Sequence, residues 1–90
     1  MSLRKHSILD SYTTVEIHGD PQTIRRLSFA EVSRISAMPE PIKWGETIAA
    51  SLKGCDMTAQ EIVEQLDAGF VDDLAAAIWK HTNGDESDPK

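Results

Sequence analysis

The chain has 90 residues, 40% of them apolar and 27% charged, a globular balance that supports one modest hydrophobic core and leaves too little interior for two. Its formal charge of −6 is lopsided, since residues 1–45 carry six Lys/Arg against five Asp/Glu and residues 46–90 carry three against ten. The acidic half repels polyphosphates and anionic membranes, which argues against nucleic-acid and membrane partners, and the single cysteine, Cys55, excludes an intrachain disulfide.

Residues 1–12 read as an arm or short helix, because Ile8, Leu9 and Tyr12 have helical spacing with little before them to complete a face. Arg4 and Lys5 resemble the basic start of a signal peptide, but the apolar run that should follow is missing. No stretch approaches the roughly 20 apolar residues that span a bilayer. With one cysteine, this makes a reducing, cytoplasmic setting the expectation.

From Thr13 the pattern alternates, with Val15 and Ile17 to one side and Glu16 and His18 to the other, as on a half-buried strand. Gly19-Asp20-Pro21-Gln22 is turn chemistry, and Thr23 to Leu27 can return as the second strand of a hairpin spanning residues 13–27. Two strands do not stand alone, so helices must cover them.

Residues 28–83 supply four short helices. Ser28 and Glu31 form a capping box with Leu27 and Val32 as its hydrophobic staple, and Thr58 and Glu61 repeat the box with Met57 and Ile62. The first helix runs to about Ala37 with Phe29, Val32 and Ile35 inward, and ends ahead of Pro39. Pro41 can open the second, where Trp44, Ile48 and Leu52 share a stripe, Gly45 allows close approach and Gly54 closes the helix as a left-handed cap. Thr58 to Leu66 is the third, with Ile62, Val63 and Leu66 inward. The fourth runs from about Ala68 to Asn83-Gly84 on Phe70, Val71, Leu74, Ala75 and Ile78. The expected fold is therefore mostly α with a small N-terminal β-hairpin, an α+β domain over residues 1–83, followed by a disordered acidic tail over 84–90.

Chemistry is sparse. Glu16, His18 and Asp20 could face one way off the first strand, but a solvated strand face explains them without a metal. His6 and His81 read as exposed polar residues, and Cys55, after the Gly54 cap, as a buried inert thiol. Asp72 and Asp73 are adjacent on a helix, diverge, and cannot serve as a matched acid and base. No phosphate loop or nucleophile elbow is present. The expectation is a protein that is not an enzyme and carries no cofactor or metal.

Residues 58–66 and 70–82 imitate a helix-turn-helix, which gives a small regulatory protein as the alternative. The second helix opens on Asp72 and Asp73 where a recognition helix offers donors, and Arg25 with Arg26 is a small basic spot at a strand edge.

The arm Ser2-Leu3-Arg4-Lys5, the strand Thr13 to Ile17, a turn, and then Ile24-Arg25-Arg26-Leu27-Ser28-Phe29-Ala30-Glu31 resemble the tail assembly chaperones of long-tailed bacteriophages and prophages. The resemblance extends through the capped helix Met57 to Leu66 and the last helix Phe70 to His81, and covers about Leu3 to Asn83. It implies a non-catalytic chaperone that binds the tape measure protein, keeps it dissolved and promotes assembly of the tail tube from its subunits, in the cytoplasm of the bacterial host. It carries no catalytic residues with it, and leaves homo-oligomerisation open.

For a binding surface the sequence offers Trp79, Asp72 and Asp73. Trp44 shares the stripe of Ile48 and Leu52 and reads as core. Trp79 falls roughly 110° from the centre of the stripe through Leu74 and Ile78, one heptad after Asp72, which puts it at the margin of the buried face. It is then either packed under the N-terminal arm or exposed as an interface anchor, with Asp72 and Asp73 supplying solubility and steering basic segments.

Overall fold

A computed structural model describes residues 3–84. It has an arm of two 3₁₀ turns (Leu3–His6 and Ile8–Asp10), a hairpin β1 (Thr13–Ile17) and β2 (Asp20–Ile24), and four helices: α1 (Phe29–Ser36), α2 (Ile42–Ser51), α3 (Ala59–Gln65) and α4 (Ala68–Asn83). The α+β class and the four helices follow the sequence reading. The expected disordered tail lies, beyond Gly84, outside the described residues.

The hairpin differs from that reading in register. Its turn is His18-Gly19, both left-handed with φ 54° and 82°, and Ile17 pairs directly with Asp20. Two such residues are what a tight hairpin needs, because they twist with the strands. Pro21 thus stands inside β2, opposite Glu16. Antiparallel pairs alternate between bonded and unbonded, and next to a two-residue turn the second pair is unbonded, so the missing N–H of Pro21 faces away from β1. The second strand accordingly begins at Asp20 and ends at Ile24, three residues earlier at both ends than expected.

Both capping boxes form. Ser28 Oγ accepts from the Glu31 N–H at 3.1 Å while Glu31 Oε1 accepts from the Ser28 N–H at 2.8 Å; Thr58 and Glu61 do the same at 3.1 and 2.9 Å. The staple residues join the core as well, with Leu27 and Ile62 buried and Val32 and Met57 packed on it. Phe29 breaks the expected inward stripe of α1, being 89% exposed. Six residues separate it from the fully buried Ile35, a rotation of about 120° on a helix, so both cannot face the same core.

Arg25 is not a solvated strand edge. Its guanidinium donates through both terminal nitrogens to the Glu31 carboxylate, each at 2.9 Å, joining the hairpin exit to the first turn of α1. These bonds, with help from the Ser28 N–H and against the cost of burial, hold the Glu31 carboxyl at about 2, below its usual 4.5.

α2 stops at Ser51, earlier than a cap at Gly54 implies, because Leu52 turns extended and bridges to Ile24. Lys53 N–H donates to the Thr23 carbonyl at 2.9 Å, and the buried Ser51 hydroxyl donates to the Arg25 carbonyl at 2.6 Å. Gly54 still needs its left-handed φ of 74°, now in the turn that follows. Pro41 is the cap ahead of α2 and not its first helical residue. Gly45 permits α2 and α3 to touch: a Cβ there would collide with the Ala59 carbonyl oxygen and come within 2.9 Å of Val63 Cγ1. Around these contacts Ile17, Ile24, Leu27, Ile35, Ile48, Ile62, Val71, Leu74 and Ile78 form one core. None of the helices is long and apolar enough, among the described residues, to cross a membrane.

Candidate protein-binding site

The apolar stripe of α4 docks Val71, Leu74, Ala75 and Ile78 into the core, which leaves its next face, Asp72, Ala76 and Trp79, at the surface or its edge. These positions follow one another at i, i+4 and i+7, so they line up along the helix. Small residues between Asp72 and Trp79 leave a gap against α2, and Trp44 forms its opposite wall. The result is a depression of about 280 Å³ bounded by Trp44, Asp72, Ala75, Ala76 and Trp79.

Trp44 extends it in both directions. Toward α3, a second depression of about 140 Å³ lies between Pro41, Trp44, Val63, Leu66 and Val71, with Asp72 again on its rim. Toward α1, a third of about 190 Å³ lies between Ser36, Lys43 and the two indoles. Together they make a largely apolar groove with the two tryptophans at its middle. The Lys43 ammonium sits 5.2 Å from the Trp44 ring centre, near one end, and Asp72 flanks the other.

Trp79 occupies neither of the places left open for it by the sequence. The arm lies elsewhere, against His81 and Arg26, and the indole is not fully exposed. It is half-buried, and its Nε1–H donates at 3.2 Å to Oγ1 of Thr47, which is 0% exposed and itself donates to the Lys43 carbonyl at 2.9 Å. A hydroxyl bonded in this way fixes the ring's orientation, so the indole forms a rigid wall. Trp44 departs from the core reading in the same sense: it packs on the core but is only half-buried.

Of the three residues singled out in the sequence, Trp79 and Asp72 meet at the groove and Asp73 does not. Asp73 accepts from His18 Nε2–H at 2.8 Å, which ties α4 to the hairpin turn and gives that carboxylate a structural partner. Asp72 makes no ion pair among the described residues. His18, being in the turn, also leaves the strand face it was expected to share with Glu16 and Asp20. No group of three His, Cys, Asp or Glu among the described residues is arranged to hold a metal ion.

Two further residues differ from their sequence reading. His81 is half-buried and donates from Nε2 to the Ser11 carbonyl at 2.6 Å, anchoring the arm. Cys55 is half-buried, with Sγ 3.4 Å from the Met57 carbonyl. In the helix-turn-helix look-alike only Leu66 and Asp67 separate α3 from α4.

Sequence reasoning missed Trp44 and Thr47 as parts of the site. A usable signal was present: Ala75 and Ala76 lie between Asp72 and Trp79, and small residues beside a tryptophan on one helix leave a hollow unless a large side chain fills it. Comparisons with protein-family models, curated proteins and solved structures gave no match.

Proposed function

We propose that this protein is a non-catalytic binding module that takes an amphipathic helix of a partner protein into the groove between Trp44 and Trp79. The observation that supports this is the pairing of two half-buried indoles, that of Trp79 orientated by Thr47, with a carboxylate, Asp72, that has no ion-pair partner among the described residues. Aromatic walls of this kind are where binding energy concentrates, and a helix laid in such a groove presents side chains at i, i+3, i+4 and i+7. The rim selects the occupant's charge. A chain of net charge −6 with an open carboxylate at the groove favours a helix bearing Lys or Arg beside its apolar stripe.

The resemblance to tail assembly chaperones gives that occupant a physical identity. A tape measure protein is a long helical chain whose apolar stripes need cover until tail-tube subunits assemble around it, and an acidic chaperone with an apolar groove would provide it. On this reading the protein acts in the cytoplasm of the bacterial host.

The test is titration with a basic amphipathic helical peptide taken from such a partner. Ala76 is exposed and borders the groove, so Ala76→Glu should leave stability within about 0.5 kcal/mol while weakening binding at least about tenfold. Asp72→Lys should weaken it about fivefold or more, and chiefly at low salt. Phe29→Ser, at an exposed apolar residue away from the groove, should change nothing. Unaltered affinity in A76E, or sequence-dependent nanomolar binding to duplex DNA in its place, would contradict the proposal.

A further inference from the structure

A concavity of about 540 Å³ lies at the opposite end of α4 from Asp72, where the arm meets the exit of β2. Its charge is unlike that of the rest of the molecule. Lys5 and Arg26 line it together with the imidazoles of His6 and His81, and Asp10 is the one carboxylate among its lining residues.

Hydrogen bonds from three elements build this pocket. Ser11 sits at the junction: its hydroxyl donates to the Ile8 carbonyl at 2.6 Å and accepts from the Arg26 N–H at 2.9 Å, while its carbonyl accepts from His81. The arm is thereby fastened to both the strand exit and the last turn of α4. The two adjacent arginines are used differently. Arg25 spends its guanidinium on Glu31, whereas the side chains of Arg26 and Lys5 make no ion pair among the described residues. Both side chains are exposed, and in a chain that is acidic overall they bring two cations to the wall of one hollow.

We infer that this pocket binds a small phosphorylated molecule, with its phosphoryl group taken by Arg26 and Lys5. A guanidinium offers paired donors to phosphate oxygens and an ammonium adds charge, while the Ser7 hydroxyl lies in the same lining. The volume suits a metabolite and exceeds what a bare phosphate fills. Asp10 gives the rest of the ligand its character, because a carboxylate in the lining repels a second anionic group and accepts from a hydroxyl. A monophosphorylated polyol, such as a sugar phosphate, has both parts. This inference is independent of the groove, which lies on another face and takes a protein.

The experiment is a two-dimensional amide NMR titration of the full chain with ribose 5-phosphate, inorganic phosphate and ribose, at constant ionic strength set with chloride. Ribose 5-phosphate is expected to give saturable shifts confined to Ser7, Ser11, Thr13, Arg26 and His81, tighter than inorganic phosphate, with ribose silent. Arg26→Gln and Lys5→Gln should each weaken it about tenfold, the scale of one charge-assisted contact. The backbone N–H of Arg26 that holds Ser11 remains in R26Q, and an unchanged spectrum of the free variant verifies the fold. Shifts that chloride reproduces, equal affinity for inorganic phosphate, or binding indifferent to both substitutions would overturn the assignment.

Discussion

Glu31 shows how one side chain can serve two structures. As the third residue of α1 it completes the capping box with Ser28, and as the acceptor for Arg25 it joins that helix to the hairpin. The pair is mostly withdrawn from solvent, at 14% and 19% side-chain exposure, so it is less screened than a surface ion pair. Its effect on stability has a definite pH window. The folded carboxyl titrates at about 2 against 4.5 for the ordinary group, so the stabilisation is fully present above about pH 4.5 and is lost as pH falls through about 2. Its size is at most about 3 kcal/mol by the linkage relation. Glu31→Gln should therefore be less stable than the parent at neutral pH and should show a flatter dependence between about pH 2 and 4.5, measured by denaturant unfolding at several pH values. Parallel curves across that window would show that the Arg25 pair contributes nothing. The capping role was legible in the sequence because it depends on spacing alone; the ion pair was not, because Arg25 and Glu31 meet only after the chain turns out of β2.

At the scale of elements, the helix starts were the most readable feature and the hairpin the least. Ser28 and Thr58 announce their helices through local bonds that any structure would keep, and replacing either by Ala should cost about 0.5 to 2 kcal/mol. Unfolding curves of S28A and T58A that overlay the parent would show that the boxes do not form in solution. The hairpin was misplaced because Gly19, Asp20 and Pro21 all favour turns, and choosing among them requires knowing which N–H groups face the partner strand. His18 tipped the balance by accepting a positive φ, a conformation that an isolated sequence gives little reason to assign to histidine. Its contact with Asp73 accompanies this placement. Gly45 was read correctly as a point of close approach, since Ala59 and Val63 leave no room for a side chain there.

For the whole molecule, the division of charge is the organising fact. The acidic half supplies the α3 and α4 walls of the groove, while Trp44 and Lys43 come from the other half, and the basic residues of the arm and strand exit gather at the other end of α4. Part of this was visible in the sequence as the contrast between the two halves. Trp79 and Asp72 were recognised one heptad apart, but their common partner, Trp44, belongs to another helix and was read as core from its own stripe. What hid the groove was the tertiary packing of α2 against α4, which exposes part of a residue that its own helix would bury. Occupancy of the groove can be read from the two tryptophans themselves, since the chain has only two and each gives its own indole N–H signal. The deciding measurement is an NMR titration of the indole region with a basic amphipathic helical peptide from a tail protein. Both indole signals should move together and saturate, and the Ala76→Glu variant should abolish the movement at the same peptide concentrations. Indole signals that stay fixed while amides around Leu9, Tyr12 or Phe29 respond would place the binding surface elsewhere and contradict it.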